Sequence, residues 1–454
     1  MAPFRREHDT ICGVPAAELP TRRQLVLNLL WFAFNFQTAA LLPVVVPAQV
    51  LLIVAPGSVA SAEQAAYLGR LAALAAVVAL ILQPLVGLVS DRTHSALGRR
   101  RPHIVWGTAV MLLGAAALTR AGGPWSFAAA FLVFQVGNTA AIAAYQGLLP
   151  DLVPRRQRGS ASGFLGLMTI LGNAASLGLA AVLLSEASAS RPAVINSGAT
   201  AYYLVTIVAL ALACAVTVAG IAERSSRDQP REPALGLGAV IKVWLEPWRS
   251  RNYLWVFVAR FLVIMGLTLF LTFIEYYFAR VAHVTNFVQA TAAVALIALL
   301  VAVVGAVGLG LLSDRMRRVP LAFASTLVMA LAAVMFLVGG GRIPLWWLGG
   351  IFGLGYGAYW SVDWALAVDS LPSIRAAGRD LGLWSLASTL PGMAAPALGS
   401  LIIGAAASLG RIEAGYQGVF MAAAVFFVLG AVAVLGIREQ AAASALRAES
   451  IIEP

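Results

Sequence analysis

Apolar stretches of about 20 residues recur along this chain, separated by short polar turns. One of them, Leu71 to Val89, runs nineteen residues without a charge. A helix of about 20 apolar residues crosses a hydrocarbon core, and uninterrupted runs of this length point to membrane spans rather than to a soluble core. Twelve such spans are expected, near 25–54, 66–89, 103–119, 125–150, 162–184, 200–222, 253–279, 289–312, 320–338, 344–368, 382–407 and 416–437. The composition agrees: 60% of residues are hydrophobic and 11% charged, with a mean hydropathy of +0.86. Soluble domains carry about 25% charged residues, so a large soluble enzyme is excluded.

The cations give a direction. With residues 1–24 inside, the segments on that side hold 24 of the 31 Lys+Arg, and the opposite side holds Arg120, Arg191, Arg280, Arg342 and Arg411. Arg70 and Arg260 fall within spans. Basic loops stay in the cytoplasm, which places both termini there. The apolar run after the polar start has no cleavage pattern, so it is expected to be a retained first span. The longest connection, 223–252, opens with ERSSRDQPREP, charged and proline-bearing as a linker is. The chain therefore divides into a tail (1–24), a six-helix bundle (25–222), a linker (223–252), a second bundle (253–437) and a tail (438–454). The expected home is a bacterial inner membrane.

Other classes fall away. The arginines lie in short loops, not on one polar face among aromatics, so no nucleic acid is expected. Cys12 and Cys214 are too separated to suggest a disulfide framework, and the four histidines have no metal-ligand spacing. No nucleophile–base–acid set and no phosphate-binding glycine loop occurs, so neither an enzyme, nor an ATP-driven pump, nor any cofactor is expected.

The halves repeat. Gly87-Leu-Val-Ser-Asp91-Arg92 follows span two, and Gly310-Leu-Leu-Ser-Asp314-Arg315 follows span eight. Asp151-Leu-Val-Pro154 follows span four, and Asp369-Ser-Leu-Pro372 follows span ten. Two matches in register with the topology imply a duplicated six-helix bundle. Parallel repeats of this kind place a solute site near the midplane at the interface of the halves.

The stretch GLVSDRTHSALGRRRPHI, Gly87 to Ile104, resembles the loop signature of the major facilitator superfamily. Its ending, with Leu148-Leu149-Pro150-Asp151-Leu152, Arg158, Ala161 and Gly172-Asn173, resembles the glycoside–pentoside–hexuronide cation symporters and the sucrose–proton symporters. The resemblance implies twelve helices in two pseudo-symmetric bundles, alternating access, and cation-coupled symport of a sugar or glycoside, with H+ or Na+ as the ion. A monomer is expected. The resemblance also implies a cytoplasmic gate built from Gly87, Asp91, Arg92, Arg99, Arg100, Asp151, Asp314, Arg315 and Asp369. The sucrose symporters carry an acid, an asparagine pair and an arginine in span four; here those places hold Gln135, Asn138-Thr139 and Gln146.

Ionisable residues within spans mark pathways. Arg260 in span seven and Asp363 in span ten lie at similar depth and are expected to pair, with Asp363 as the cation site and Arg260 tuning it. A purely structural ion pair is the equal alternative. Glu275, near the outer end of span seven, is expected at the interface. Amides and aromatic faces bind sugars, which marks Asn35, Gln135, Asn138, Tyr145, Gln146, Asn173, Tyr359 and Trp360 as substrate candidates, with Asn28, Gln37, Tyr356 and Trp364 beside them. Gly305, Gly308 and Gly310 are expected to permit close helix approach in span eight, and Pro391 and Pro396 to bend span eleven. Two other functions fit the same pattern: export or symport of a non-sugar solute, and a non-transporting assembly factor of the pigment-delivery type.

Overall fold

The computed structural model describes residues 10–11, 14–15, 20–91, 93–152, 158–186, 191–221, 223, 247–313, 316–339, 343–370 and 377–438. Twelve long helices follow a two-residue antiparallel pairing of Thr10–Ile11 with Val14–Pro15. They are α1 (Thr21–Ile53), α2 (Ala62–Asp91), α3 (Arg101–Leu118), α4 (Pro124–Leu152), α5 (Arg158–Leu183) and α6 (Pro192–Gly220). Then come α7 (Arg251–Arg280), α8 (Phe287–Ser313), α9 (Arg318–Gly339), α10 (Leu345–Asp369), α11 (Ala377–Ser408) and α12 (Ile412–Val434). Among the described residues eleven are long and apolar enough to cross a membrane. The exception is α10, whose glycines at 349, 350, 353, 355 and 357 alternate with tyrosine, tryptophan and Asp363 and dilute its hydropathy.

Two helix ends differ from the expected spans. The sixth helix starts at Pro192, not near 200, because a proline in the first turn lacks only a donor that would be unpaired anyway. The eleventh starts at Ala377 and stays helical through Pro391 and Pro396. Sequence reading also missed a π turn in α1 at Leu41–Val45, between Thr21–Ala40 and Val46–Ile53. Pro43 and Pro47 each remove a backbone donor there. Ser176 Oγ of α5 accepts the N–H of Ala40 at 3.1 Å. The hydroxyl of Tyr202 on α6 donates toward the carbonyls of Phe36 and Gln37 at 3.1 and 3.2 Å.

The chain forms two compact units. Unit 1 comprises Met1–Ser58 and Leu74–Pro233; unit 2 comprises Val59–Ala73 and Ala234–Pro454. In unit 1 the packed pairs include α3 with α4, α1 with α5, α1 with α6, α3 with α6, and α5 with α6. In unit 2 the same pairs recur six helices later: α9 with α10, α7 with α11, α7 with α12, α9 with α12, and α11 with α12. The sequence repeat is thus a repeat of packing. The first turns of α2 belong to unit 2. There the Tyr416 hydroxyl donates to the Ala60 carbonyl at 3.0 Å, and Ser400 Oγ donates to the Ala65 carbonyl at 3.1 Å.

With no hydrophobic drive between helices in lipid, close approach through small residues holds such bundles together. Gly137 of α4 lies against the backbone of Met111 and Gly107 on α3, where a Cβ would clash. In unit 2, Gly357 of α10 lies against the Ala302 carbonyl of α8, and Gly305 of α8 against the Leu354 carbonyl. Gly308 faces open space instead, so it takes no part in that contact. An aromatic cluster closes the other side of α7: Phe270 stacks on Phe352 at 4.4 Å, and Tyr277 on Phe420 at 4.2 Å.

Candidate functional site

In unit 2 the guanidinium of Arg260 forms an ion pair with Asp363, and both side chains are almost fully buried. Arg260 Nη1 meets Asp363 Oδ2, and the Tyr359 hydroxyl donates to Asp363 Oδ1 at 2.7 Å. Each carboxylate oxygen therefore has a donor. Arg260 Nε donates to Ser388 Oγ at 2.8 Å. The guanidinium carbon lies 3.8 Å from the Trp384 ring centroid and 4.9 Å from that of Trp360. Cation–π contact with desolvated rings adds to the Coulombic term. Tyr356 meets Trp360 edge-on at 6.0 Å. Among the described residues one polar atom here has no partner: the buried indole Nε1 of Trp384.

The pair was visible in the sequence, but its α11 side was not. Trp384 and Ser388 are four apart, so one face of α11 presents both to Arg260. Each alone, in the run LGLWSLAS, looks like ordinary span composition.

Glu275 corrects an expectation. It is 1% exposed, not interfacial, and neither carboxylate oxygen has a hydrogen bond among the described residues. Its neighbours in α7, Ile274, Tyr276 and Tyr277, are buried with it, because this end of α7 packs into the bundle. Linear distance from a span's end does not report that burial.

Unit 1 holds a neutral network. Gln37 Nε2 of α1 donates to Asn138 Oδ1 of α4 at 2.9 Å, while Gln37 Oε1 is buried with no partner among the described residues. Tyr145 is fully buried, and its hydroxyl donates to the Leu27 carbonyl at 2.9 Å. Trp31 stacks on Tyr145 at 5.6 Å and donates from Nε1 to Thr169 of α5 at 2.7 Å. Asn35 turns its amide back to the Trp31 carbonyl at 2.8 Å. Gln135 and Asn173 are half-buried, with no hydrogen bond among the described residues. Gln146 is exposed and accepts from Gln83 of α2 at 3.3 Å. The structure thus joins Asn138 to Gln37, Tyr145 to Trp31, and Tyr359 and Trp360 to the charge pair. Trp31 and Thr169 escaped sequence reading because neither is unusual in a span.

The arginine-rich turn after α2 is not simply solvated. Arg100 is buried, donates from Nη1 to Ser90 Oγ at 2.6 Å, and packs on Gly147 of α4. The Glu223 carboxylate, just past α6, accepts the backbone N–H groups of Arg99, Arg100 and Arg101 at 2.9 to 3.1 Å. An anion at a helix N-terminus satisfies orphan donors and opposes the positive end of the dipole. Gly98, at φ +93°, passes close beneath that carboxylate, where a Cβ would clash. Gly87 is half-buried in α2. Arg92, Asp314 and Arg315 lie outside the described residues, as do the side chains of Asp91, Asp151, Trp364 and Asp369. No cluster of three metal-ligating side chains occurs among the described residues, and Cys214 is buried as a free thiol.

No protein of curated function matches the sequence. Solved structures share the fold at low identity. The nucleoside transporter NupG is 12% identical with a TM-score of 0.69, covering 92% of this chain and 99% of that one. A D-xylose-proton symporter is 17% identical at 0.69, covering 91% and 97%. The peptide transporter POT is 16% identical at 0.67, covering 94% and 95%. At these identities the likenesses show the fold, and the long apolar helices make the chain a multi-pass membrane protein. The profile of the Major Facilitator Superfamily matches residues 27–396, and this chain belongs to that superfamily.

Proposed function

We propose that this protein is a secondary active transporter working by alternating access as a monomer, and that it couples entry of a sugar or glycoside to a cation, H+ or Na+. Its termini are cytoplasmic on this reading, in a bacterial inner membrane. The observation that carries it is the Arg260–Asp363 pair, buried among Tyr359, Trp360, Trp384 and Ser388. An ion pair deep in a membrane helix bundle is costly and usually functional. Aromatic faces beside hydroxyl and amide groups are the surface a sugar needs. The unsatisfied Trp384 Nε1 is a donor that a solute hydroxyl would satisfy.

In this mechanism Asp363 holds the cation when the pair opens, and Arg260 takes its place when the cation leaves. The solute-linked change of state decides which partner the carboxylate has. Asn138, Gln135, Asn173 and Asn35 are the candidate amide contacts of the solute, and Asp91, Arg92 and their repeat partners act at the cytoplasmic gate. A nucleoside or another flat non-sugar solute would use the same aromatic faces and is the second reading.

The test is uptake into proteoliposomes with Asp363→Asn. Solute accumulation against a gradient should vanish while solute exchange persists. Unchanged accumulation would sink the coupling role. A thermal-shift screen against sugars, glycosides and nucleosides separates the two readings, because a native-state ligand raises stability by mass action.

A further inference from the structure

At the α7–α12 end of unit 2 lies a cavity of about 470 Å³, lined by Arg251, Asn252, Trp255, Leu435, Gly436 and Arg438. That volume is within the range of small-ligand clefts. Both arginines are exposed, and among the described residues no carboxylate pairs with either. Two exposed guanidiniums on the wall of one cavity present positive charge that a bound anion can take up.

The floor of the cavity is organised. Asn252 Oδ1 accepts the backbone N–H of Arg438 at 2.7 Å, and its Nδ2 donates to Ser370 Oγ at 3.0 Å. This ties the exit of α12 and the end of α10 to the start of α7. The Trp255 ring lies on Gly436, where a Cβ would strike it. The residues at the start of α7, Arg251 and Asn252, add the positive end of a 30-residue helix. Leu435 is 57% exposed beside them, so the cavity has an apolar lip.

Two unpaired guanidiniums, a helix N-terminus, an indole and an apolar lip together match a phosphate joined to an acyl chain. We propose that this cavity binds the headgroup of an anionic phospholipid from the leaflet at the arginine-rich end of the bundle. Arg251 and Arg438 hold the phosphate, Trp255 borders the glycerol level, and Leu435 meets the first methylenes. Basic pockets between helices at this level are sites for acidic headgroups. The assignment does not depend on the solute or on the coupling ion.

The experiment uses the purified full chain in detergent, with phosphatidylglycerol, phosphatidylcholine or inorganic phosphate added. Native mass spectrometry reads the lipid retained, and thermal denaturation reads the stabilisation. The wild type should retain phosphatidylglycerol over phosphatidylcholine and gain stability from it. R251Q/R438Q should weaken phosphatidylglycerol binding about 30-fold, at about fivefold for each charge removed. The lysine pair R251K/R438K should keep most of the binding and lose it as salt is raised. Equal phosphatidylglycerol retention by wild type and R251Q/R438Q would overturn the site. An equal shift from inorganic phosphate alone would overturn the lipid assignment. If the glutamine variant does not fold, salt-insensitive binding by the lysine variant would overturn the site as well.

Discussion

The two units share one packing plan but fill its interior differently. Where α1, α4 and α5 meet in unit 1, the polar groups are neutral: Gln37 on Asn138, Trp31 on Thr169, and Tyr145 on a backbone carbonyl. Where α7, α10 and α11 meet in unit 2, they are charged: Arg260 with Asp363, enclosed by three aromatic residues and a serine. Neutral amides make hydrogen bonds of roughly 1 kcal/mol, which many solutes can replace. A buried ion pair has a large desolvation cost that only its partner offsets. In the proposed mechanism the duplicated architecture divides labour: one unit offers exchangeable hydrogen bonds, the other a charge switch.

The largest expected effect lies in unit 2. Arg260→Leu leaves Asp363 buried without its cation and should cost about 3–5 kcal/mol of stability. Arg260→Leu with Asp363→Leu should recover most of that stability and none of the coupled accumulation. Denaturation midpoints in detergent, paired with uptake assays, check both. A single variant as stable as the wild type would show that the pair is not desolvated and would erase the contrast between the units.

Helix approach is next in size. Gly357→Val should overpack α10 against the Ala302 carbonyl and cost about 1–3 kcal/mol. The same change at Gly308, which faces open space, should be nearly silent. Equal effects at the two positions would contradict the packing described for α8 and α10.

In unit 1, Asn138→Leu should cost roughly 1.5 kcal/mol by removing one of the two acceptors of the Gln37 amide, Thr38 Oγ1 remaining as the other. It should raise the half-saturating solute concentration while leaving coupling intact. Loss of coupling in this variant would remove the division of labour. The smallest effect is expected at the cytoplasmic turn. Glu223→Ala exposes three N–H groups at the start of α3 and should cost about 1 kcal/mol. Thermal denaturation is the readout, and no change would show that the cap is replaced by water.

Much of this was legible without a structure. Twelve helices, the repeat and the family follow from apolar length and from the motifs around Gly87 and Gly310. Arg260 and Asp363 stood out because a charge in a span is rare. Their partners did not. Trp384, Ser388, Trp31 and Thr169 are common residues in membrane helices, and only neighbouring helices give them a role. Glu275 was misjudged for the same reason: depth along a span is one coordinate, and burial depends on which helix covers the face. Arg100 is expected at a cytoplasmic gate and Glu223 lies where a linker is expected; only the structure buries the first and makes the second a helix cap.

By itself the sequence determined what one dimension can carry: the number of spans, the duplication, and the rare charges. These follow from hydrophobic length and charge pattern, which no packing can undo. The tertiary structure alone decided which polar groups meet. It put Arg260 between two indoles and Gln37 on Asn138, left Glu275 buried without a partner, and opened a basic cavity between α7 and α12. Those outcomes depend on helix rotation and on glycine-permitted approach. A turn of one helix by a single residue moves each side chain by about 100° around its axis, and only the packed neighbours fix that angle.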